Sequence, residues 1–437
     1  MDHYPPLKKD CAFWGMTITQ FLGAFNDNVF KMLLLLLCAD YVLAQNEGGN
    51  SPYFDPYQTT ASLLFASAFV MFSGFAGYLS DRYCKRTIVV ACKVAEIVVM
   101  LGGLAVFMTS TPGTMTMIVV LFGVLFLMGV QSAFFGPSKY GILPELFSET
   151  DLPMVNGVVL GTTFVAIIFG TALAGILKDL LGDNLWWISL FCVVLAVVGT
   201  GSSWLVRSTP PAQPQLRFSP QGLFIESSVW KTVLSDRLLF KVLLVYSIFW
   251  FVGGVVALAI TLTGQVQLKM SASTTALFNA SMGFGIGSGS VFAAFISKKV
   301  VRLDLVVKGS VGLFLGLTAA AVIAVLPMNG ATKAWVIGIS LFVGGFAGGI
   351  LAIPLQVFIQ SHPPAELKGR VIAVMNLMTW VGILLASVYY MAILAVTGYK
   401  MDPSWILLSV GIVILFAGIL CRFPATNTLK DRQSQAA

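Results

Sequence analysis

The chain has 437 residues, of which 57% are apolar and only 10% are Asp, Glu, Lys or Arg, with a formal net charge of +7. A soluble domain carries about 25% charged residues, so a string of water-soluble domains is excluded. The positive balance does not point to nucleic acid, because the basic residues sit in short loops between apolar runs, where they act as orientation signals.

Twelve apolar runs are long enough for a span of about 20 residues. In chain order they cover 13–42, 58–80, 87–109, 115–136, 154–177, 185–206, 238–262, 273–297, 304–326, 333–360, 370–396 and 404–424. Continuous runs, rather than ten-residue alternation, make them helices and not barrel strands. Turn chemistry marks several breaks: Ser51-Pro52, Thr111-Pro112-Gly113, Pro327-Met328-Asn329-Gly330 and Asp402-Pro403. The first run carries Asp27 and Lys31 and is followed by no small-residue cleavage site, so it reads as a retained helix and not a signal peptide.

One polar, proline-containing segment divides the runs. The expected organisation is a six-helix bundle over 1–206, a cytoplasmic linker over 207–237, a second six-helix bundle over 238–424 and a cytoplasmic tail over 425–437. The fold class is therefore an all-α membrane protein of two pseudo-symmetric bundles. With the N-terminus inside, the inner segments hold 19 Lys and Arg and the outer ones 4 (Lys178, Lys269, Lys333 and Lys400). Both termini and the linker are thus expected in the cytoplasm. The halves also repeat weakly. Gly77 to Arg86 after span 2 parallels Phe295 to Arg302 after span 8, and Glu145 to Asn156 parallels Glu366 to Asn376. Parallel six-span repeats enclosing a mid-depth path are a transporter arrangement.

Charges inside spans are costly and mark function by default. In span 1, Gln20, Asp27 and Lys31 fall within about 40° on one helix face. Asn26 and Asn28 flank Asp27, and Gly23 and Ala24 lie beside the stripe. Asp27 and Lys31 are spaced to pair along the helix. Either they form a structural ion pair, or the stripe faces a watery cavity. Span 3 carries Lys93 and Glu96 one turn apart; here too a functional pair competes with a lysine snorkelling to the cytoplasmic edge. Lys308 reads as a snorkelling lysine. In the loop after span 2, Gly77 allows close helix approach, and Asp81 beside Arg82 and Arg86 is suited to lock a cytoplasmic gate. The competing reading is a solvated, positive-inside loop.

The glycines of 283–289 and 344–349 form small-residue faces for tight helix packing and are not nucleotide loops. The six cysteines form no CxxC, and no zinc signature exists, so neither a disulfide framework nor a metal site is expected. The two histidines, His3 and His362, lie outside the spans, leaving no histidine base at membrane depth. No catalytic residue and no cofactor are expected.

The loop signature Gly77-x-Leu79-x-Asp81-Arg82-x-x-Lys85-Arg86 resembles that of the major facilitator superfamily. Within it, Gly23-Ala-Phe-Asn-Asp27-Asn28, and Phe135-Gly-Pro-Ser-Lys139-Tyr140-Gly141-Ile-Leu-Pro-Glu145-Leu146 followed by Asn156-Gly157, resemble the lysophospholipid transporter family. That includes the transporter half of fused transporter–acyltransferase proteins. The resemblance runs from span 1 to about span 11. It implies lysophospholipid uptake from the outer to the inner leaflet of the inner membrane, for re-acylation inside by a separate cytoplasmic acyltransferase. It makes Asp27 the acidic residue of span 1 that matters for transport. Two departures stand out. Phe249-Trp250 is followed by Phe251 to Ala259 without the arginine that the stand-alone transporters carry, and neither histidine begins an HxxxxD sequence, so no fused acyltransferase is expected.

The mid-depth charges Asp27, Lys31, Lys93 and Glu96 all fall in the N-terminal half, while the C-terminal half is rich in Gly, Phe and Leu. One polar and one apolar wall suit a charged head with an acyl tail better than a sugar. The expected function is a lysophospholipid transporter working by alternating access. The alternatives are a transporter of another amphiphile or small metabolite, coupled to protons through Asp27, and a membrane acyltransferase or its subunit, which the missing intramembrane histidine disfavours.

Overall fold

The computed structural model describes residues 5–45, 56–111, 113–182, 184–217, 225–297, 301–397 and 401–420. The turn residues Ser51, Pro52 and Pro112, the basic residues Lys298, Lys299, Lys400, Arg422, Lys430 and Arg432, and the tail 425–437 lie outside them.

The described chain is helical: α1 Cys11–Gln45, α2 Pro56–Arg82, α3 Lys85–Thr109, α4 Met115–Leu146, α5 Leu152–Leu181, α6 Trp186–Ser203, α7 Ser227–Ser235, α8 Arg237–Leu262, α9 Ala272–Ser297, α10 Asp304–Val325, α11 Gly330–Ser361, α12 Lys368–Val396 and α13 Ser404–Leu420. Eleven of these are long and apolar enough to cross a membrane, and α13 is an apolar helix of 17 residues. The twelve expected spans are therefore all present as helices. Among the described residues, the linker contains a helix that sequence reading passed over: α7, nine residues that bury Val229 and Val233 and leave Lys231 and Leu234 exposed. Large apolar side chains face outward along the spans, with Met108 66%, Leu180 75% and Trp335 75% exposed, as a lipid-facing surface requires. Trp14, Trp187, Trp204 and Trp335 are exposed near helix ends, where indole rings anchor a span at the membrane interface.

The chain divides into two compact units. One comprises Met1–Leu146, Ala166–Val229 and Pro364–Leu377; the other comprises Phe147–Val165, Trp230–Pro363 and Met378–Ala437. Helices α5 and α12 are thus each shared between units.

In the first unit, α1 is strapped at its start. Asp10 caps it through Ala12 N at 2.9 Å and takes Arg207 Nη1 at 2.6 Å, while Arg207 Nη2 donates to Leu146 O at 2.8 Å. Small residues let the helices close: a Cβ at Gly15 would meet Leu205 at 2.7 Å, and one at Gly103 would meet the Phe30 ring at 2.7 Å. Lys85 is fully buried and bonds Glu145 at 2.5 Å, joining the start of α3 to the end of α4.

In the second unit, α9 packs on α11 through the predicted glycine faces. A Cβ at Gly285, Gly289, Gly345 or Gly349 would overlap backbone of the facing helix. Gly309 of α10 meets Ala347 of α11 in the same way, at 2.7 Å. Lipid is as apolar as leucine, so close backbone approach and van der Waals contact, rather than water exclusion, hold such helices together. The part of α5 in this unit is fixed by an amide pair. Asn156 Nδ2 donates to Gln360 Oε1 at 2.7 Å and Gln360 Nε2 to Asn156 Oδ1 at 2.9 Å, both residues being fully buried.

Candidate functional site

Asp27, Lys93 and Glu96 of the first unit gather with Asn26, Gln131 and Ser132 into one buried network on α1, α3 and α4. Glu96 is its hub. It is ion-paired with Lys93 and accepts from Asn26 Nδ2 at 2.8 Å and Gln131 Nε2 at 3.3 Å. The side chains of Lys93 and Glu96 are 2% and 1% exposed. Lys93 therefore does not snorkel, because Glu96 stands one turn away and gives the ammonium a partner inside. Its place is made by a missing side chain: a Cβ on Gly23 would fall on the ammonium. The Phe135 ring lies 5.5 Å from that ammonium, within cation–π reach.

Asp27 connects to the hub through neighbours. Its Oδ2 accepts from Ser132 Oγ at 2.8 Å, and Ser132 Oγ lies 3.3 Å from Gln131 Oε1. Its Oδ1 is buried with no hydrogen-bond partner among the described residues. Of the two alternatives for this stripe, the structural ion pair of Asp27 with Lys31 does not form. Lys31 Nζ lies over the Phe65 ring at 5.5 Å, and the hydrogen bond to Asp27 comes from α4 instead. Gln20 Oε1 accepts from Lys139 Nζ at 3.1 Å, and the ammonium sits 4.8 Å over the Tyr140 ring. Asn28 stands apart, donating to Ala24 O of its own helix at 2.7 Å, with its Cβ against Gly170 of α5.

The gate loop is organised differently from the sequence expectation. Asp81 is fully buried and does not pair with Arg82 or Arg86. It accepts from Gly369 N at 2.8 Å, from Arg370 N at 3.2 Å and from Arg370 Nε at 2.9 Å. A carboxylate on the first amides of α12 is held by both the open N–H groups and the helix dipole. Arg82 instead bonds the Tyr78 hydroxyl, and Arg86 donates to Trp204 O at 2.9 Å. Both arginines thus bond neighbours other than Asp81. Gly77 has the role foreseen: a Cβ there would collide with Ala373 and meet the Arg370 backbone at 3.2 Å. Arg370 is tied further to Gln213 Oε1 at 2.9 Å and Glu226 at 3.4 Å in the linker. Between Arg82 and Lys85, the Cys84 thiol is raised by burial but lowered more by hydrogen bonds from Ser208, Thr87 and Thr209, so it falls to about 7.

Sequence reasoning missed Gln131, Ser132, Gly369, Arg370 and Gln360. Arg370 was counted only as an inside charge; its place in the repeat that parallels Glu145 to Asn156 was the available signal.

The sequence model for the Major Facilitator Superfamily matches residues 16–387. The chain belongs to that superfamily. It is a multi-pass membrane transporter by family, not an enzyme. Among curated relatives of this facilitator, the lysophospholipid transporter LplT of Klebsiella pneumoniae subsp. pneumoniae is 28% identical over 384 residues, covering 86% of this chain and 87% of that one. The LplT of Cronobacter sakazakii is 27% identical over 371 residues, covering 83% and 84%. In fold, this facilitator resembles the crystal structure of the human organic anion transporter MFSD10, with a TM-score of 0.73, 15% identity and coverage of 96% and 100%. It also resembles the proton:xylose symporter XylE, with a TM-score of 0.69, 12% identity and coverage of 94% and 95%.

Proposed function

We propose that this facilitator carries lysophospholipid from the outer to the inner leaflet of the inner membrane by alternating access. The observation that carries the reading is the likeness to lysophospholipid transporters along more than four fifths of both chains. The structure supports it chemically. The buried network around Asp27, Glu96 and Lys93 offers both charge signs to a polar head, whereas α8 carries no charge from Phe249 to its end at Leu262. In this reading Gln20, Asn26, Asp27, Lys31, Lys93 and Glu96 engage the head or its coupling ion, Asn28 seats α1 on α5, and Lys139, Tyr140, Glu145 and Asn156 hold helix ends. The repeats 1–206 and 238–424 move as the two halves of the cycle, with both termini cytoplasmic. Asp81 on Gly369 and Arg370 latches the cytoplasmic side. A separate cytoplasmic acyltransferase consumes the product.

Uptake into liposomes containing the purified protein tests this. Lysophosphatidylethanolamine or lysophosphatidylglycerol should enter, and a sugar and a cationic drug should not. Selective uptake of the sugar or the drug would replace the reading. A second reading, coupling to protons through Asp27, is favoured by its partnerless Oδ1, which leaves room for a proton. Uptake driven by an inward proton gradient, and lost in Asp27→Asn, is its signature.

A further inference from the structure

The second unit holds an aromatic cluster on α8. The Tyr246, Phe249 and Trp250 rings contact one another with centroids 5.6–6.5 Å apart, and Phe164 of α5 stacks on Trp250 at 6.3 Å with planes 8° apart. Tyr246 donates its hydroxyl to Gln356 Oε1 of α11 at 3.2 Å. Two residues that contact that tyrosine carry N–H donors with no acceptor among the described residues: Trp250 Nε1 and Gln356 Nε2 are both buried, and Gln356 is 1% exposed. Buried donors are nearly always satisfied, so each orphan calls for an explanation.

Its place in the repeat supplies one. Gln356 follows the helix-interior Pro354 by two residues, as Lys139 follows Pro137 in α4. Tyr246 stands nine residues into α8, as Gln20 stands nine into α1. The Gln356–Tyr246 contact thus holds in the second half the position of the Lys139–Gln20 contact in the first. Where the first half carries a cation, the second carries a neutral amide. An anionic phosphate away from water needs a cation or a charge-assisted bond, and α8 offers none from Phe251 to its end at Leu262. An uncharged carbonyl oxygen has two lone pairs and suits two neutral N–H donors.

We propose that Trp250 Nε1–H and Gln356 Nε2–H bind the ester carbonyl of the lysolipid, with the aromatic rings against the glycerol and first methylenes. The inference rests on the lysophospholipid reading and adds an acyl-ester specificity that the relatives' names do not contain. The test compares uptake of a 1-acyl lysophosphatidylethanolamine with its 1-O-alkyl ether analogue, which keeps head and chain but lacks the carbonyl. The unaltered protein should favour the acyl lipid about five- to tenfold in kcat/KM, the size expected for one or two neutral hydrogen bonds. Trp250→Phe keeps a ring and removes only the donor. It should raise KM for the acyl lipid, leave the ether lipid unchanged and bring the ratio towards one. Gln356→Met should do the same, and Trp250→Phe decides if that variant does not accumulate. Equal uptake of the two lipids by the unaltered protein, or an unchanged ratio in Trp250→Phe, overturns the carbonyl site alone. Uptake of neither lipid overturns the transport reading and this inference with it.

Discussion

Lys93 and Glu96 neutralise each other while buried in the helix bundle, and the Lys93 ammonium occupies the space that a Cβ on Gly23 would need. Removing one partner of a buried pair strands the other at a cost of about 3–5 kcal/mol, whereas removing both is far milder. Lys93→Met should therefore lower the amount of protein in the membrane, the double variant Lys93→Met with Glu96→Gln should restore it, and Gly23→Ala should resemble Lys93→Met. Quantitative immunoblots of membranes check all three. Asp27 should behave otherwise, because its hydrogen bond comes from the neutral Ser132. Asp27→Asn is expected to accumulate normally and fail to transport, and adding Lys31→Gln should not restore uptake. Recovery of uptake in that double variant would make Asp27 structural. The Cys84 thiol gives a pH-dependent readout. With a pKa near 7, its labelling by a maleimide in a Cys11→Ser, Cys421→Ser background should rise about tenfold per unit below pH 7 and level off above it, since the thiolate is the nucleophile. The stripe Gln20, Asp27, Lys31 was legible because 100° per residue places it on one face. The partner of Asp27 was not legible, because it lies 105 residues away and no local spacing encodes it.

Glycine decides how the helices meet. Each of Gly285, Gly289, Gly345 and Gly349 faces backbone directly, so a side chain there has nowhere to relax. Gly345→Ala should abolish accumulation of the folded protein, measured by size-exclusion of detergent extracts, while Gly102→Ala, whose Cβ would meet nothing within 4 Å, should be tolerated. The latch is subtler. Asp81→Asn keeps the shape but loses the charge-assisted bond to Arg370, which is about 1.5–3 kcal/mol for a charged partner. A cysteine placed at the buried position Ala373 should then react faster with reagents supplied from the cytoplasm. Unchanged reactivity together with unchanged uptake would leave Asp81 a packing residue at the end of α2 with no part in the cycle. The helices themselves were readable from continuous apolar runs, and the glycine interfaces from small-residue spacing. The start of α12 was not readable as a partner of Asp81, since a charge at a loop edge looks the same in sequence whether it orients a span or binds a carboxylate. Helix α7 was hidden because nine residues with two buried valines do not rise above the polar linker around them.

Across the whole chain, the bias of 19 basic residues against 4 predicts a single orientation for all the spans. Reporter fusions at Arg217 and at Ala437 should both register as cytoplasmic, and an outer signal from either would reverse or break the twelve-helix order. Membership of the superfamily and the count of spans followed from composition, hydropathy and the Gly77 to Arg86 motif. The sharing of α5 and α12 between compact units did not, because it depends on contacts such as Asn156 with Gln360, 204 residues apart.

The network around Glu96 also sets a timetable for synthesis. Asn26 finds Glu96 only after 70 more residues, and Asp27 finds Ser132 only after 105. At about 5–20 residues per second, the second interval is on the order of 5–20 s. For that time α1 carries charges for which lipid is a poor solvent, so it has to wait beside the insertion machinery until α3 and α4 emerge. A nascent chain halted before Met115 should leave Asp27 reachable by aqueous reagents, and one extended past Leu146 should seal it.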